Sequence, residues 1–224
     1  DAAAGRYALT LKQSCPPTPG QETKLPFHIP FALGLVGPDG NDLPLILEGE
    51  EAVGDQPAGG QQAEEITRVL SLRQSQESFA FVNVPAPPLP SLLRNFSAPV
   101  IVKYDYSEAD LTHLMAHDAN AFNRWEAGQR IALALILRGI EARRAQPANA
   151  QGAASGSATT QAFVRAFARV LDYAPRDPAF GAEALGLPSE IYIAEQLDEV
   201  DPDAIHAVRN RLRRDLAQAL RSEL

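Results

Sequence analysis

Few residues in this chain could do chemistry. His113 and His117 stand four apart in a segment of helical character, so both imidazoles project from one face. That is the spacing of the H-E-x-x-H zinc motif, in which two histidines hold the metal and a glutamate activates its water. Here the segment reads His113-Leu-Met-Ala-His117, with leucine where the base is needed, and no E-x-x-x-[DE] helix follows at the distance that supplies a third ligand. The pair is assigned no metal. One histidine is expected to face the domain seam and the other to hydrogen-bond near a helix end. His28 falls in a strand-like stretch and His206 among polar residues, neither beside a nucleophile. Cys15 precedes Pro16-Pro17 without a recognisable histidine partner and reads as inert. The serines make no G-x-S-x-G, and the glycines make no phosphate loop or dinucleotide fingerprint. The sequence assigns no catalytic, cofactor-binding or metal-ligating residue.

The elements that would position such residues come in two codes. From residue 1 to about 105 the apolar residues alternate, as in strands: Tyr7–Lys12, Phe27–Leu35, Leu43–Leu47, Val69–Leu72, Glu77–Val84 and Pro99–Tyr104. Gly37-Pro-Asp-Gly-Asn41 predicts a hairpin between the second and third of these. About six short strands separated by turns imply an antiparallel sandwich. Residues 48 to 65 hold six carboxylates and no cation and are expected to form a surface loop. Pro85-Ala-Pro-Pro-Leu-Pro90 reads as a rigid crossing between strands.

From Ser107 the period becomes helical. Ser107 caps a first helix running to about His117. A second runs from Ala119 or Asn120 to about Arg144, with Phe122, Trp125, Ala132, Ile136 and Ile140 on or near one stripe. Residues 146–158 are small and polar, a flexible link. Further helices are expected from Thr160 to Tyr173, Pro178 to Leu185, Ser189 to Leu197, and Pro202 to the end. The fold class is thus two-domain: residues 1–105 an immunoglobulin-like β-sandwich, residues 106–224 an α-helical array.

Composition narrows the partners. The formal charge is -8, and both halves are mildly acidic, which argues against nucleic acid. Arg209, Arg211, Arg213 and Arg214 spread around the last helix beside Asp215 and read as a solvated surface. No apolar run reaches a membrane span. A single cysteine fits a reducing compartment such as the cytoplasm, and no signal peptide opens the chain.

Five strings together resemble the bacterial aminopeptidase N (alanyl aminopeptidase) family of gluzincin zinc metallopeptidases: Tyr7-Ala-Leu-Thr-Leu, Pro26-Phe-His-Ile-Pro-Phe-Ala, Phe79-Ala-Phe-Val-Asn-Val, Pro90-Ser-Leu-Leu-Arg-Asn-Phe-Ser-Ala-Pro-Val100, and the run His117 to Gln129. The resemblance implies a parent of four domains, in which this chain is the third, β-sandwich domain and the first part of a helical cap. It also implies zinc and peptide substrates for the parent, with the other domains of the same polypeptide as partners. The family's G-x-M-E-N and H-E-x-x-H motifs do not occur here, so the chain itself is expected to be non-catalytic, with an incomplete cap and a strand missing before Asp1. His117, Asn120, Phe122, Arg124 and Trp125 are the structural or interdomain anchor candidates. Phe122 and Trp125 are expected to be packed and Arg124 to answer a carboxylate or carbonyl. Loss of the Trp125 ring is expected to cost about 3–5 kcal/mol. The alternative from another class is an independent sandwich-plus-helices interaction module.

Overall fold

A computed structural model describes residues 5–50, 66–145 and 158–221, with the backbone alone for 158–160. Most of the acidic 48–65 segment and nearly all of the 146–158 link lie outside the described residues. The chain divides into two compact units: Asp1–Tyr104 with Asp118–Asn123, and Asp105–His117 with Arg124–Leu224.

In the first unit, the described strands are β1 (Tyr7–Lys12), β2 (Ile29–Val36), β3 (Ile46–Leu47), β4 (Arg68–Leu72), β5 (Gln76–Val82) and β6 (Leu89–Leu92). They form two antiparallel sheets, ordered β1-β5-β3 and β4-β2-β6. Alternation does what the sequence implied: Leu9, Leu70, Leu72 and Phe81 are buried, while Ala8, Thr10, Val69 and Ser71 face out. The cross-strand pairing Leu9↔Phe79 puts two apolar side chains on the inner face, and Thr10↔Ser78 puts two hydroxyls, 2.8 Å apart, on the outer one.

Three expectations need correction. Pro99–Tyr104 joins no ladder among the described residues. Its alternation was real, but Pro99 lacks a donor at the start of the segment. A strand the sequence left as a crossing is present instead: β6 takes in Pro90, which is tolerated because β6 is a sheet edge. The Gly37–Asn41 turn forms, with Gly37 N donating to Asn41 O at 2.7 Å and Leu43 N to Leu35 O at 2.7 Å. The returning chain then leaves β2, and β3 pairs with β5 in the other sheet.

The central strand β2 is buried on both faces from Phe31 to Val36. Phe31, Leu33 and Leu35 supply the face opposite Ala32, Gly34 and Val36. That second face is covered by a 3-10 turn, Arg94–Phe96, and by Ser97, whose Oγ accepts from Ala32 N at 2.9 Å.

In the second unit the helices are α1 (Glu108–His117), α2 (Ala121–Ala145), α3 (Ala158–Tyr173), α4 (Pro178–Ala184), α5 (Glu190–Ala194) and α6 (Pro202–Ala219). Their starts follow local chemistry. Ser107 Oγ accepts from Asp110 N (3.1 Å) while Asp110 accepts from Ser107 N (2.8 Å), a reciprocal cap. Asp177, Ser189 and Asp201 cap α4, α5 and α6 through Phe180, Tyr192 and Ala204 N. The core is Leu111, Leu114 and Met115 of α1, Ile131, Ile136 and Ile140 of α2, Phe163, Phe167 and Val170 of α3, and Ile205, Leu212 and Leu216 of α6. At Gly139 a Cβ would come within 2.6 Å of Val208 Cγ1, so the close approach of α2 and α6 requires glycine. Of the basic residues on α6, Arg213 and Arg214 are exposed, whereas Arg209 donates to the carbonyls of Pro188 (2.7 Å) and Leu187 (3.3 Å).

Gly34 is the glycine on which the β unit turns. A Cβ there would fall inside the Arg94 guanidinium. Gly34→Ala is therefore expected to expel Arg94 and lower stability by about 3 kcal/mol or more, as breaking a buried ion pair does. Urea unfolding followed by circular dichroism measures this, and a loss under about 1 kcal/mol would show that the arginine does not need the space.

Candidate functional site

The densest polar site surrounds Arg94, a residue that is 1% exposed. Local backbone builds the approach. Leu93, Asn95 and Phe96 all adopt positive φ (56°, 55° and 51°), a conformation that costs L-residues roughly 1–2 kcal/mol each, less for asparagine. This contorted turn throws Arg94 back over Gly34 of β2.

There the guanidinium uses all five of its N–H groups. Nε donates to Ser91 Oγ (2.9 Å); Nη1 donates to the Ile66 carbonyl (2.8 Å) and to Thr67 Oγ1 (3.0 Å); Nη2 donates to Asp42 Oδ1 (2.6 Å) and Asp118 Oδ1 (3.1 Å). Each partner comes from a different part of the unit: Asp42 from the turn after β2, Ile66 and Thr67 from the lead into β4, Ser91 from β6, and Asp118 from the segment between α1 and α2. Desolvating a cation and its acidic partners costs several kcal/mol per ion, and this complete set of bonds offsets it.

The Asp118–Asn123 segment is tied down a second time. Asn123 Nδ2 donates to Ser91 Oγ (2.8 Å) and the Leu92 carbonyl (2.9 Å), and Asn120 Nδ2 donates to Asn95 Oδ1 (2.7 Å). Asn120 also caps α2, its Oδ1 accepting from Asn123 N at 3.1 Å. Phe122 meets Phe96 edge to face, with centroids 5.8 Å apart. Burial raises the Asp118 carboxyl above its ordinary range, against the pull of Arg94, Ser91 and the Asn120 amide, while Asp42 adds to the rise.

Of the anchor candidates, Asn120 and Phe122 thus lie in the β unit, and His117, Arg124 and Trp125 in the helical unit. Phe122 is more exposed than expected, at 39%. Trp125 is half-buried. Arg124 is the buried one: its guanidinium carbon lies 4.9 Å from the Tyr173 centroid and 5.1 Å from that of Phe180, and its Nε donates to the Met115 carbonyl at 3.3 Å. His113 and His117 are stacked, with ring centroids 4.7 Å apart. Among the described residues, no group of three or more His, Cys, Asp or Glu is placed to hold a metal ion.

Sequence reasoning missed Arg94 as a site residue, although it stands in one of the strings that carried the resemblance. The available signal was Gly34 inside an otherwise bulky strand, a mark of close approach by another group. A shallow depression over the outer face of β1 and β5 ends at Arg6 and Glu48. Those two are occupied with each other through a two-bond ion pair (3.2 and 2.7 Å).

Three substitutions separate these roles. Arg94→Lys keeps the charge but not the five-donor fork, and is expected to lose about 3 kcal/mol or more in urea unfolding. An unperturbed midpoint would mean that charge alone suffices. Arg124→Ala is expected to lower the melting temperature more than Trp125→Ala, the reverse of what residue size predicts, and calorimetry on the two variants decides the order.

Comparison with known proteins adds the identity of the scaffold. Residues 1–105 match a family described as a domain of unknown function (DUF3458) with an Ig-like fold, and residues 108–224 match one described as DUF3458_C, with ARM repeats. Aminopeptidase N of Escherichia coli (strain K12) is 38% identical over 220 residues, 98% of this chain and 23% of that protein. Aminopeptidase N of Haemophilus influenzae is 30% identical over 223 residues, again 23% of its length. A crystal structure of Legionella pneumophila aminopeptidase A in complex with aspartic acid superposes on 99% of the chain and 21% of that protein, with a TM-score of 0.69 and 25% identity. The chain spans about a quarter of the length of the curated relatives it matches. It belongs to the aminopeptidase N family, of which it carries the Ig-like and ARM-repeat domains.

Proposed function

We propose that this chain is a non-catalytic portion of a zinc-dependent aminopeptidase that removes N-terminal residues from peptides. Its Ig-like unit spaces the helical unit from a catalytic domain, and its helical unit contributes to a cap over that domain. One observation carries the reading: identity to aminopeptidase N runs through both units, over 98% of the chain, while most of the relative's length lies elsewhere. Neither H-E-x-x-H nor G-x-M-E-N occurs among these 224 residues. Zinc, which would polarise the scissile carbonyl, belongs in this reading to the parent, as does the glutamate that would activate water. The partners are the other domains of the same polypeptide. No described helix is long and apolar enough to cross a membrane, and the compartment proposed is the cytoplasm.

The chemistry of the described residues supports a supporting role. Arg94 is directed at the carboxyl groups of Asp42 and Asp118, and Arg124 at the rings of Tyr173 and Phe180.

The test compares this chain with the complete polypeptide from which it derives. The complete protein is expected to bind zinc by elemental analysis and to hydrolyse an alanyl anilide, whereas the 224-residue chain should do neither. Hydrolysis by the chain alone, or a complete protein inert towards aminoacyl anilides, would overturn the assignment.

A further inference from the structure

The hydrogen bonds at Asp118 are lopsided. Oδ1 accepts from Arg94 Nη2 (3.1 Å) and from the Asn120 amide (2.9 Å), while Oδ2, equally buried, meets no donor among the described residues. An ionised carboxylate has two equivalent oxygens and, when buried, seeks donors for both. A carboxylic acid has one carbonyl oxygen that accepts and one hydroxyl that donates. At Asp118, Oδ1 accepts and Oδ2 meets no donor among the described residues, which suits the acid better than the ionised group.

A proton count of the neighbours reaches the same result. Asn123 directs both Nδ2 hydrogens to fixed acceptors, Ser91 Oγ and the Leu92 carbonyl, which settles the orientation of its amide and leaves Oδ1 buried without a donor. Ser91 Oγ already accepts from both Arg94 Nε and Asn123 Nδ2, and its one hydrogen is left for Asp118. Arg94 has no N–H to spare. The acceptor Asn123 Oδ1 therefore needs a hydrogen that no side chain among the described residues supplies unless Asp118 carries one.

Charge points the same way. The charged groups facing Asp118 are Arg94, from the turn after β6, and Asp42, from the turn after β2. Thr67 and the Ile66 carbonyl before β4 are neutral, and its own segment adds only Asn120 and Asn123 as polar side chains. His117, which precedes it, is stacked on His113. One cation thus faces two carboxyls, and Asp42 makes the shorter bond to it, 2.6 Å against 3.1 Å.

We propose that Asp118 is held in the folded β unit as the neutral acid, with its proton on Oδ2 and shared with Asn123 Oδ1 directly or through one water. The Asp118–Asn123 segment is then latched by a proton, and rising pH releases it. The sign follows from linkage. The folded state keeps a proton that the unfolded chain loses near pH 4, so this contribution to stability is complete below about pH 4 and is lost as pH rises through the folded-state value.

Carbon-detected titration of the side-chain carboxyls in the 13C-labelled 224-residue chain tests this. The Asp118 Cγ resonance is expected to keep its protonated shift through the range in which ordinary exposed aspartates ionise. In parallel, the stability difference between wild type and Asp118→Asn should move against the wild type as pH rises above about 4. If Asp118→Asn fails to fold, the wild-type titration alone decides. An Asp118 Cγ that titrates with the exposed aspartates or below them would overturn the proposal, as would a stability difference constant from pH 4 to 8.

Discussion

The β unit is organised by the need to bury one guanidinium completely. A guanidinium is planar and carries five donors, so water can be removed from it only where five acceptors lie near its plane. Here those acceptors come from the turn after β2, the lead into β4, strand β6 and the segment before α2. No two neighbouring residues could satisfy the requirement alone. The demand also reaches into backbone choice, since Gly34 is bare to admit the group and the turn around Arg94 accepts positive φ at Leu93, Asn95 and Phe96 to aim it. Strain of this kind persists only where surrounding contacts over-determine it.

The helical unit buries an arginine by other means. Arg124 lies against the faces of Tyr173 and Phe180 and donates Nε to the Met115 carbonyl. An aromatic face supplies modest attraction and, more usefully, apolar surface against which a weakly hydrated guanidinium loses little. The two arginines thus fix different things. Arg94 fixes which loops meet, because a buried ion cluster tolerates few alternative arrangements. Arg124 fixes how closely the start of α2 approaches the end of α3 and the start of α4.

Much of this architecture was legible in the chain because it rests on local rules. Strands β1, β4 and β5 follow from alternation, and the helix starts at Ser107, Asp177, Ser189 and Asp201 follow from short side chains that satisfy free amides. The misreadings share a cause. Pro99–Tyr104 alternates like a strand but has no partner in a ladder, and Leu89–Leu92 contains a proline yet is one, since pairing is decided by neighbours distant in sequence. Arg124 is buried although it is charged, because burial is set by which face of α2 is covered, and Arg124 lies on that face. Arg94 was hidden for the same reason: Asp42, Thr67 and Asp118 are 52, 27 and 24 residues from it, and no spacing rule joins them.

The segment Asp118–Asn123 bears on what counts as a complete β unit. Its flanking residues belong to the helical unit, yet it supplies a carboxyl to Arg94, an amide to β6 and an aromatic ring to Phe96. A sandwich without it would leave one Nη2 hydrogen of a buried guanidinium unmatched and expose the apolar surface that the segment covers. Loop closure adds only slowly to the entropic cost as the intervening chain lengthens, so reaching past α1 for these contacts is thermodynamically cheap. Leaving the guanidinium short of a partner is not, because an unmatched buried charge costs several kcal/mol. The difference between those magnitudes explains why the β unit takes in six residues from beyond the first helix, and why the helix start that Asn120 caps is set by the same contacts that complete the sandwich.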